Sequence, residues 1–296
     1  MALLINRSRL LFGDLLQVGR SITRTLSTPT DYVDIIEYSN GARKITLNHP
    51  KTKNSLSIQM MKDLHKAITS YSTDQTLRSI MITNTGDVFS AGHNLKELRT
   101  DKGEADHKEV FETCMQLMKA IEEAPVPVIA VVDGLAAAGG CQLVAACDIA
   151  VATEQSYFAT SGINVGVFCS TPSVPVLRSM SRKMAAHMLF TGDEINAQQA
   201  YEAGLISRVL SQENLQLELE IMTDLIASKS RSVIQMGKEF LRKQRDLNTE
   251  DAYKLAVETM VKNLKLKDAQ EGITAFFEKR EPNYQDNMEE VKASKD

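Results

Sequence analysis

The chain has 296 residues, 43% of them hydrophobic, 24% charged and 5% aromatic, a balance that suits a globular protein and excludes a fibrous or disordered one. Its formal charge is −4, and no run of Lys and Arg is long enough to track a phosphate backbone, so nucleic acid is not an expected partner. The four cysteines, Cys114, Cys141, Cys147 and Cys169, lack metal-ligand spacing, and a chain of this length needs no disulfide staples, which points to buried thiols in a reducing compartment and to no metal.

Residues 1–28 stand apart. They hold Arg7, Arg9, Arg20 and Arg24 with a single acid, Asp14, and in helical projection Leu4, Leu11, Leu15 and Val18 face away from Arg9, Gln17 and Arg20. Gly13 and Asp14 interrupt the apolar stretch that a secretory signal or a membrane span would need. This composition is that of a mitochondrial transit peptide, and a matrix location is expected from it.

From residue 31 to about 230 the pattern predicts an α/β core. Residues 33–38 and 44–47 read as two strands joined at Asn40–Gly41, a hairpin turn signal. Ile58, Met61, Leu64, His65 and Ile68 recur at helical spacing over 57–71, with Ser57 as N-cap. Strands follow at 79–83, 126–132 and 148–152, with helices over 110–124 and 143–146 between them, so pairing should be largely parallel. Beyond residue 173 the period is helical over 180–191, 197–203, 213–228, 232–245, 249–264 and 268–277, with one strand at 206–210. Residues 231–280 thus form a C-terminal helical region, and the charged tail 281–296 is expected to be frayed.

Two glycine-bearing segments follow strands. Residues 84–98 contain Ser90, Ala91 and Gly92 before a short helical run from Leu95, and residues 132–148 contain Gly134, Gly139 and Gly140 before a helix. Small residues let a ligand approach the main chain, and unpaired N–H groups at a helix start favour an oxygen carrying negative charge. Two such amide sources at neighbouring strand ends would make an oxyanion hole for a thioester carbonyl. Local chemistry is equally served by plain packing turns, and neither segment carries GxGxxG or a Walker loop.

The run from Phe89 to Leu98 (FSAGHNLKEL) and the run from Val132 to Leu143 (VDGLAAAGGCQL) together resemble the two oxyanion-hole motifs of the enoyl-CoA hydratase/isomerase, or crotonase, superfamily. The resemblance runs from about Val33 to Phe277, through His49-Pro-Lys51, Cys147-Asp-Ile-Ala150 and Ala200-Tyr-Glu-Ala-Gly-Leu-Ile206. It implies the crotonase (ClpP-like) fold, a spiral of ββα units followed by C-terminal helices that reach across subunits in a homotrimer or hexamer. A CoA thioester is the implied substrate or ligand, with no separate cofactor. The main-chain amides of His93 and Gly139 would polarise the carbonyl. Ala91, His93, Asn94, Leu95 and Lys96 would line the CoA moiety, with Lys96 and Lys51 or Lys53 meeting its phosphates.

Hydration needs a base for the attacking water and an acid for the adjacent carbon. At the positions where the resemblance implies those carboxylates, this chain has Gln142 and Gly162. A glutamine orients water without taking its proton, and glycine offers no side chain. A third position used by some members falls at Cys169-Ser170-Thr171. Asp133 is expected to serve a turn or cap, and Glu97 the surface. The expectation is therefore an acyl-CoA-binding protein of fatty acid metabolism that hydrates enoyl-CoA poorly. The alternatives are an acyl-CoA decarboxylase or thioesterase, with Cys141, Cys169 and His93 as the groups to inspect, or a weak hydratase through water held by Gln142. Carboxylates installed together at 142 and 162 are expected to bring some hydration.

Overall fold

The computed structural model describes residues 32–70 and 74–291; the transit-peptide reading of residues 1–28 falls outside them. Two sheets are wound together. The larger has strand order β1-β2-β3-β5-β7-β10, from β1 (Val33–Glu37), β2 (Ala42–Leu47), β3 (Ser79–Asn84), β5 (Val128–Val132), β7 (Ile149–Thr153) and β10 (Arg208–Leu210). The smaller is β4-β6-β8-β9, from β4 (Val88–Ser90), β6 (Leu135–Ala137), β8 (Tyr157–Ala159) and β9 (Glu194–Asn196). Among the described strands of the two sheets, only β1 with β2 and β8 with β9 pair antiparallel. The β1–β2 hairpin of the larger sheet leads into α1 (Ile58–Thr69), and each of the next two turns of the chain gives one strand to each sheet and then a helix: α2 (Glu104–Glu123) after β3 and β4, and α3 (Gly139–Ala146) after β5 and β6. This is the ββα spiral of the crotonase fold.

Central strand β5 is buried at every position, as a parallel strand covered on both faces must be. The hairpin, the 79–83 strand and the alternation of strand and helix fall where the sequence pattern puts them. The four strands of the smaller sheet escape the sequence pattern, because three-residue runs such as Leu135-Ala-Ala137 are too short to show a period. Helix α2 begins at Glu104, earlier than the expected 110: the Asp106 carboxylate accepts from Gly103 N at 3.2 Å and starts the helix ahead of its apolar face. Also unexpected is α4 (Ser170–Ser179), which contains Pro172 and Pro175.

Helices α5 (Arg182–Thr191), α6 (Ala197–Ala203), α7 (Leu215–Ala227), α8 (Arg231–Gln244), α9 (Thr249–Lys265) and α10 (Lys267–Glu278) complete the chain. Buried Lys238 of α8 fastens this region to the core: its ammonium donates to Asp148 Oδ2 at 2.6 Å and to the Ile121 and Val126 carbonyls at 2.9 and 3.0 Å. The same carboxylate oxygen accepts from Val128 N at 2.7 Å.

The expectation of a frayed tail is corrected up to residue 291. Asp268 of α10, only 1% exposed, accepts from the Gln285 and Asp286 amides at 2.7 and 3.0 Å and from Ser230 Oγ at 2.6 Å. Asp286 pairs with Arg78, and Val291 N donates to Lys265 O at 2.8 Å. Polar residues with no apolar period are held here by side-chain acceptors for main-chain amides, a device that periodicity does not reveal.

Candidate functional site

Strand β4 ends at Ser90, whose hydroxyl donates to Asn54 O at 2.8 Å and accepts from Gly92 N at 3.2 Å. Leu56 N then donates to Gly92 O at 2.8 Å, and Ala91 N to Lys53 O at 3.0 Å. The chain turns at Gly92 with φ +83°, passes His93, and enters a 3-10 turn over Leu95–Leu98 whose start is capped by the Asn94 side chain on Lys96 N.

On the next turn of the spiral, β6 runs into Ala138 and then α3. Ala138 adopts φ 48° and ψ −112°, a sparsely populated conformation for a residue with a Cβ. Two hydrogen bonds hold it there: its N–H donates to Ala159 O at 2.8 Å, and its carbonyl accepts from Gln142 N at 3.0 Å. The consequence is that α3 opens with Gly139 facing the Gly92 turn.

The two segments meet as closely as main chains can. A Cβ at Gly92 would lie 2.8 Å from Gly139 N and 2.9 Å from Ala137 O; one at Gly139 would lie 3.4 Å from Gly92 Cα and 3.5 Å from His93 Cδ2. A Cβ at Gly140 would strike Ser90 O at 2.4 Å. Glycine at 92 and 140 is what permits the crossing, whereas a Cβ at 139 would make near-ordinary contacts. Among the described residues, neither His93 N–H nor Gly139 N–H has an acceptor within the protein. Gly139 is also the first residue of a helix, where the free amides carry partial positive charge.

The side chains around the crossing are uncharged. The His93 ring packs edge-on against Phe111, with centroids 5.3 Å apart, and neither ring nitrogen has a partner. Burial pushes its pKa below the usual histidine value, so the imidazole is neutral at pH 7. Gln142 is 4% exposed and its Oε1 is unpartnered. Burial pushes the Cys141 thiol up to about 12 and raises that of Cys169 as well, so neither is a thiolate.

Gly162 sits in the 3-10 turn Ser161–Val165, and the space beside it is taken: a Cβ would fall 2.5 Å from Val167 O and 2.8 Å from Cys169 Sγ. The expected gain from a carboxylate at 162 is therefore corrected, because any side chain there must first displace main chain. Of the two acids left near the motifs, Asp133 accepts from Thr153 Oγ1 at 3.0 Å and from Gln155 and Gln212. Glu97 is half-buried instead of lying free on the surface; it accepts from Ile58 N at 3.2 Å at the start of α1, and burial raises its pKa.

Lys51, Lys53 and Lys96 are exposed, as is Leu95, and the Lys53 carbonyl bonded to Ala91 brings the 50–56 loop beside the first glycine segment. Sequence reasoning missed Thr160, which follows β8 beside the Ala138–Ala159 hydrogen bond; it is fully buried with Oγ1 unpartnered. Nothing in its local pattern marks it, since the signal is the absence of a bonding partner in three dimensions. An open cavity of about 520 Å³ beside Lys183, His187 and Asp193 and a smaller one of about 190 Å³ between Cys147 and Lys238 share no lining residue with the crossing. Their polar groups are largely paired, so the free amides mark the site better than cavity size does. Among the described residues no His, Cys, Asp and Glu cluster suits a metal ion, and no helix is long and apolar enough to cross a membrane.

Known proteins are similar to this chain in sequence and fold. The enoyl-CoA hydratase/isomerase family pattern matches residues 37–287. The chain is 49% identical over 248 residues to the Xenopus laevis enoyl-CoA hydratase domain-containing protein 3, mitochondrial, covering 84% of each. The crystal structure of human enoyl-CoA hydratase domain-containing protein 3 superposes with a TM-score of 0.83 at 48% identity, over 85% of this chain and 99% of that one. A mitochondrial enoyl-CoA hydratase of Pongo abelii is 31% identical over 249 residues, 84% of this chain and 85% of that protein.

Proposed function

Since the chain belongs to the enoyl-CoA hydratase/isomerase family, we propose that it binds acyl-CoA thioesters in mitochondrial fatty acid metabolism, holding the thioester oxygen with the main-chain N–H groups of His93 and Gly139. The observation that carries this reading is the pair of unsatisfied amides at the Gly92–Gly139 crossing. A thioester carbonyl supplies the acceptor that both donors lack, and developing negative charge on it would strengthen both bonds. The exposed Lys51, Lys53 and Lys96 offer cations for the CoA phosphates, and Ala91, Asn94 and Leu95 lie on the same approach.

Enoyl hydration by this site is slow in this reading. Gln142 neither accepts nor supplies a proton near pH 7, Gly162 has no side chain, and Asp133 and Glu97 are committed to hydrogen bonds elsewhere. General acid–base assistance is worth ~10²–10⁴ in rate, so a polarised carbonyl without it leaves hydration well below that of an enzyme carrying both acids. Thiol-based cleavage of the thioester finds no support either, with Cys141 and Cys169 held as neutral thiols.

Subunits associate through the C-terminal helices in the same proposal, as a homotrimer or hexamer. Helix α9 has no buried residue and exposes Tyr253, Val257, Met260, Val261 and Leu264 along one stripe, beside Phe276 and Phe277 of α10. A second copy of the chain is the occupant that would cover such a face. The mitochondrial address follows the names of the similar proteins, and the matrix is the compartment proposed.

The test is calorimetric titration of the purified protein with butyryl-CoA and with free CoA, beside a crotonyl-CoA hydration assay. Saturable thioester binding with hydration at least ~100-fold slower than a hydratase carrying both acids is expected. Absence of binding overturns the ligand, and comparable turnover overturns the slow hydration proposed for this site.

A further inference from the structure

A peptide unit is planar and trans, so its C=O and N–H point to opposite sides, and a hydrogen bond that fixes one aims the other. Both donors of the crossing are set in this way. The Gly139 N–H shares its peptide with the Ala138 carbonyl, which accepts from Gln142 N at 3.0 Å in the first turn of α3. The His93 N–H shares its peptide with the Gly92 carbonyl, which accepts from Leu56 N at 2.8 Å. One donor is thus aimed by its own helix, and the other by a separate loop, residues 49–56, built around the 3-10 turn Pro50–Thr52.

Asn54 pins that loop. It is 0% exposed and left-handed, with φ 49°, a conformation that asparagine enters more readily than most residues bearing a Cβ. Both polar atoms of its side chain are engaged: Oδ1 accepts from His49 N at 2.8 Å, and Nδ2 donates to the Thr85 and Val88 carbonyls at 3.0 and 2.8 Å. An ionised aspartate has no donor for those two carbonyls, and serine has one. The Asn54 carbonyl then accepts from Ser90 Oγ at 2.8 Å, and the same Oγ accepts from Gly92 N at 3.2 Å. Gly92 is therefore gripped at both ends from the 49–56 loop, at its N–H through Ser90 and Asn54 and at its carbonyl by Leu56.

Deepening the thioester reading above, on which this step rests, we infer that Asn54 is a positioning residue for carbonyl polarisation: through Ser90 and the Leu56–Gly92 bond it aims the His93 N–H at the thioester oxygen. Buried and engaged within the protein, Asn54 meets no ligand itself. Loss of its side chain leaves the Gly139 donor in place and frees the Gly92–His93 peptide to turn. A thioester then still binds, with its C=O bond less polarised.

The experiment records infrared difference spectra of butyryl-CoA, isotopically labelled at the thioester carbonyl, bound to the wild type, Asn54→Gly, Ser90→Ala and Gly204→Ala. Protein is in saturating excess, and thermal unfolding of each variant is followed alongside. Polarisation weakens the C=O bond and lowers its stretching frequency, a signature that does not depend on affinity once all the ligand is bound. Glycine at 54 keeps the left-handed backbone without strain and deletes only the side chain. Ser90→Ala cuts the link from Asn54 to Gly92, and Gly204→Ala perturbs the turn after α6 as a destabilised control. The carbonyl band should move down on binding to the wild type and to Gly204→Ala. It should move less in Asn54→Gly and Ser90→Ala, whose butyryl-CoA affinity falls about two- to tenfold, the loss of one hydrogen bond. An undiminished shift in Asn54→Gly, or an equal reduction in Gly204→Ala, overturns the inference and leaves the thioester reading intact. A wild type that binds butyryl-CoA without a shift, or does not bind it, overturns both. Should Asn54→Gly fail to fold, Ser90→Ala decides in its place, and an undiminished shift there overturns the inference.

Discussion

Replacing Gly92 by alanine tests the crossing on which the site depends. Gly92 has φ +83°, so an alanine there carries about 1–2 kcal/mol of backbone strain. Its Cβ would also lie 2.8 Å from Gly139 N and 2.9 Å from Ala137 O, and relieving such overlap costs about 1–3 kcal/mol more. Gly204, in the turn after α6, is the control: its φ is +92°, but a Cβ there comes no nearer than 3.3 Å to any neighbour, at Ser179 O. Urea unfolding should therefore show Gly204→Ala less stable by about 1–2 kcal/mol and Gly92→Ala by roughly 2–5 kcal/mol. Ligand binding separates the two more sharply. If the His93 and Gly139 amides each contribute about 0.5–1.5 kcal/mol to holding the carbonyl, pushing Gly139 away should weaken butyryl-CoA by roughly two- to tenfold. Free CoA, which has no carbonyl at that point, should bind both variants alike. Gly92→Ala and Gly204→Ala proteins with the same butyryl-CoA affinity would refute the claim that the crossing builds the site.

Three further outcomes follow from the same reasoning. Asp148→Ala strands the buried Lys238 ammonium and should lower stability by about 3 kcal/mol in urea unfolding, with Lys238→Met added to it recovering part of the loss. His93 titrates below an unfolded histidine, so the folded protein binds fewer protons and stability is lost as pH falls below about 6.5; urea midpoints at neutral and mildly acidic pH should differ more for the wild type than for His93→Gln. Asp268→Ala removes the acceptor for the Gln285 and Asp286 amides and should expose the chain beyond residue 280 to limited proteolysis while α1 to α8 stay resistant.

The larger sheet and most helices are readable in the sequence because their apolar positions repeat: Ile58, Met61, Leu64 and Ile68 mark α1, and the unbroken apolar run of β5 marks a central strand. The glycine segments are visible too, but only as two turns after strands. Their meeting requires the second sheet, whose strands are too short and too rich in alanine to announce themselves. The crowding at Gly162 is out of reach in principle, since a missing side chain says nothing about what fills its place. Thr160, the Asp268 clasp and the unexpected commitment of Glu97 share one cause: each depends on which hydrogen-bond partner is present or absent across distant parts of the chain, and no local period encodes that.

The crossing of Gly92 with Gly139 also bears on how the molecule comes together. The two amides belong to successive turns of the spiral, and they become neighbours only after β4 and β6 have paired and α3 has begun at Ala138. Recognition of a thioester is consequently a property of the stacked coil and of no fragment that stops short of it. A partly folded chain that already possesses its first sheet would be blind to the ligand, and retention on an immobilised acyl-CoA would count only molecules that have finished winding.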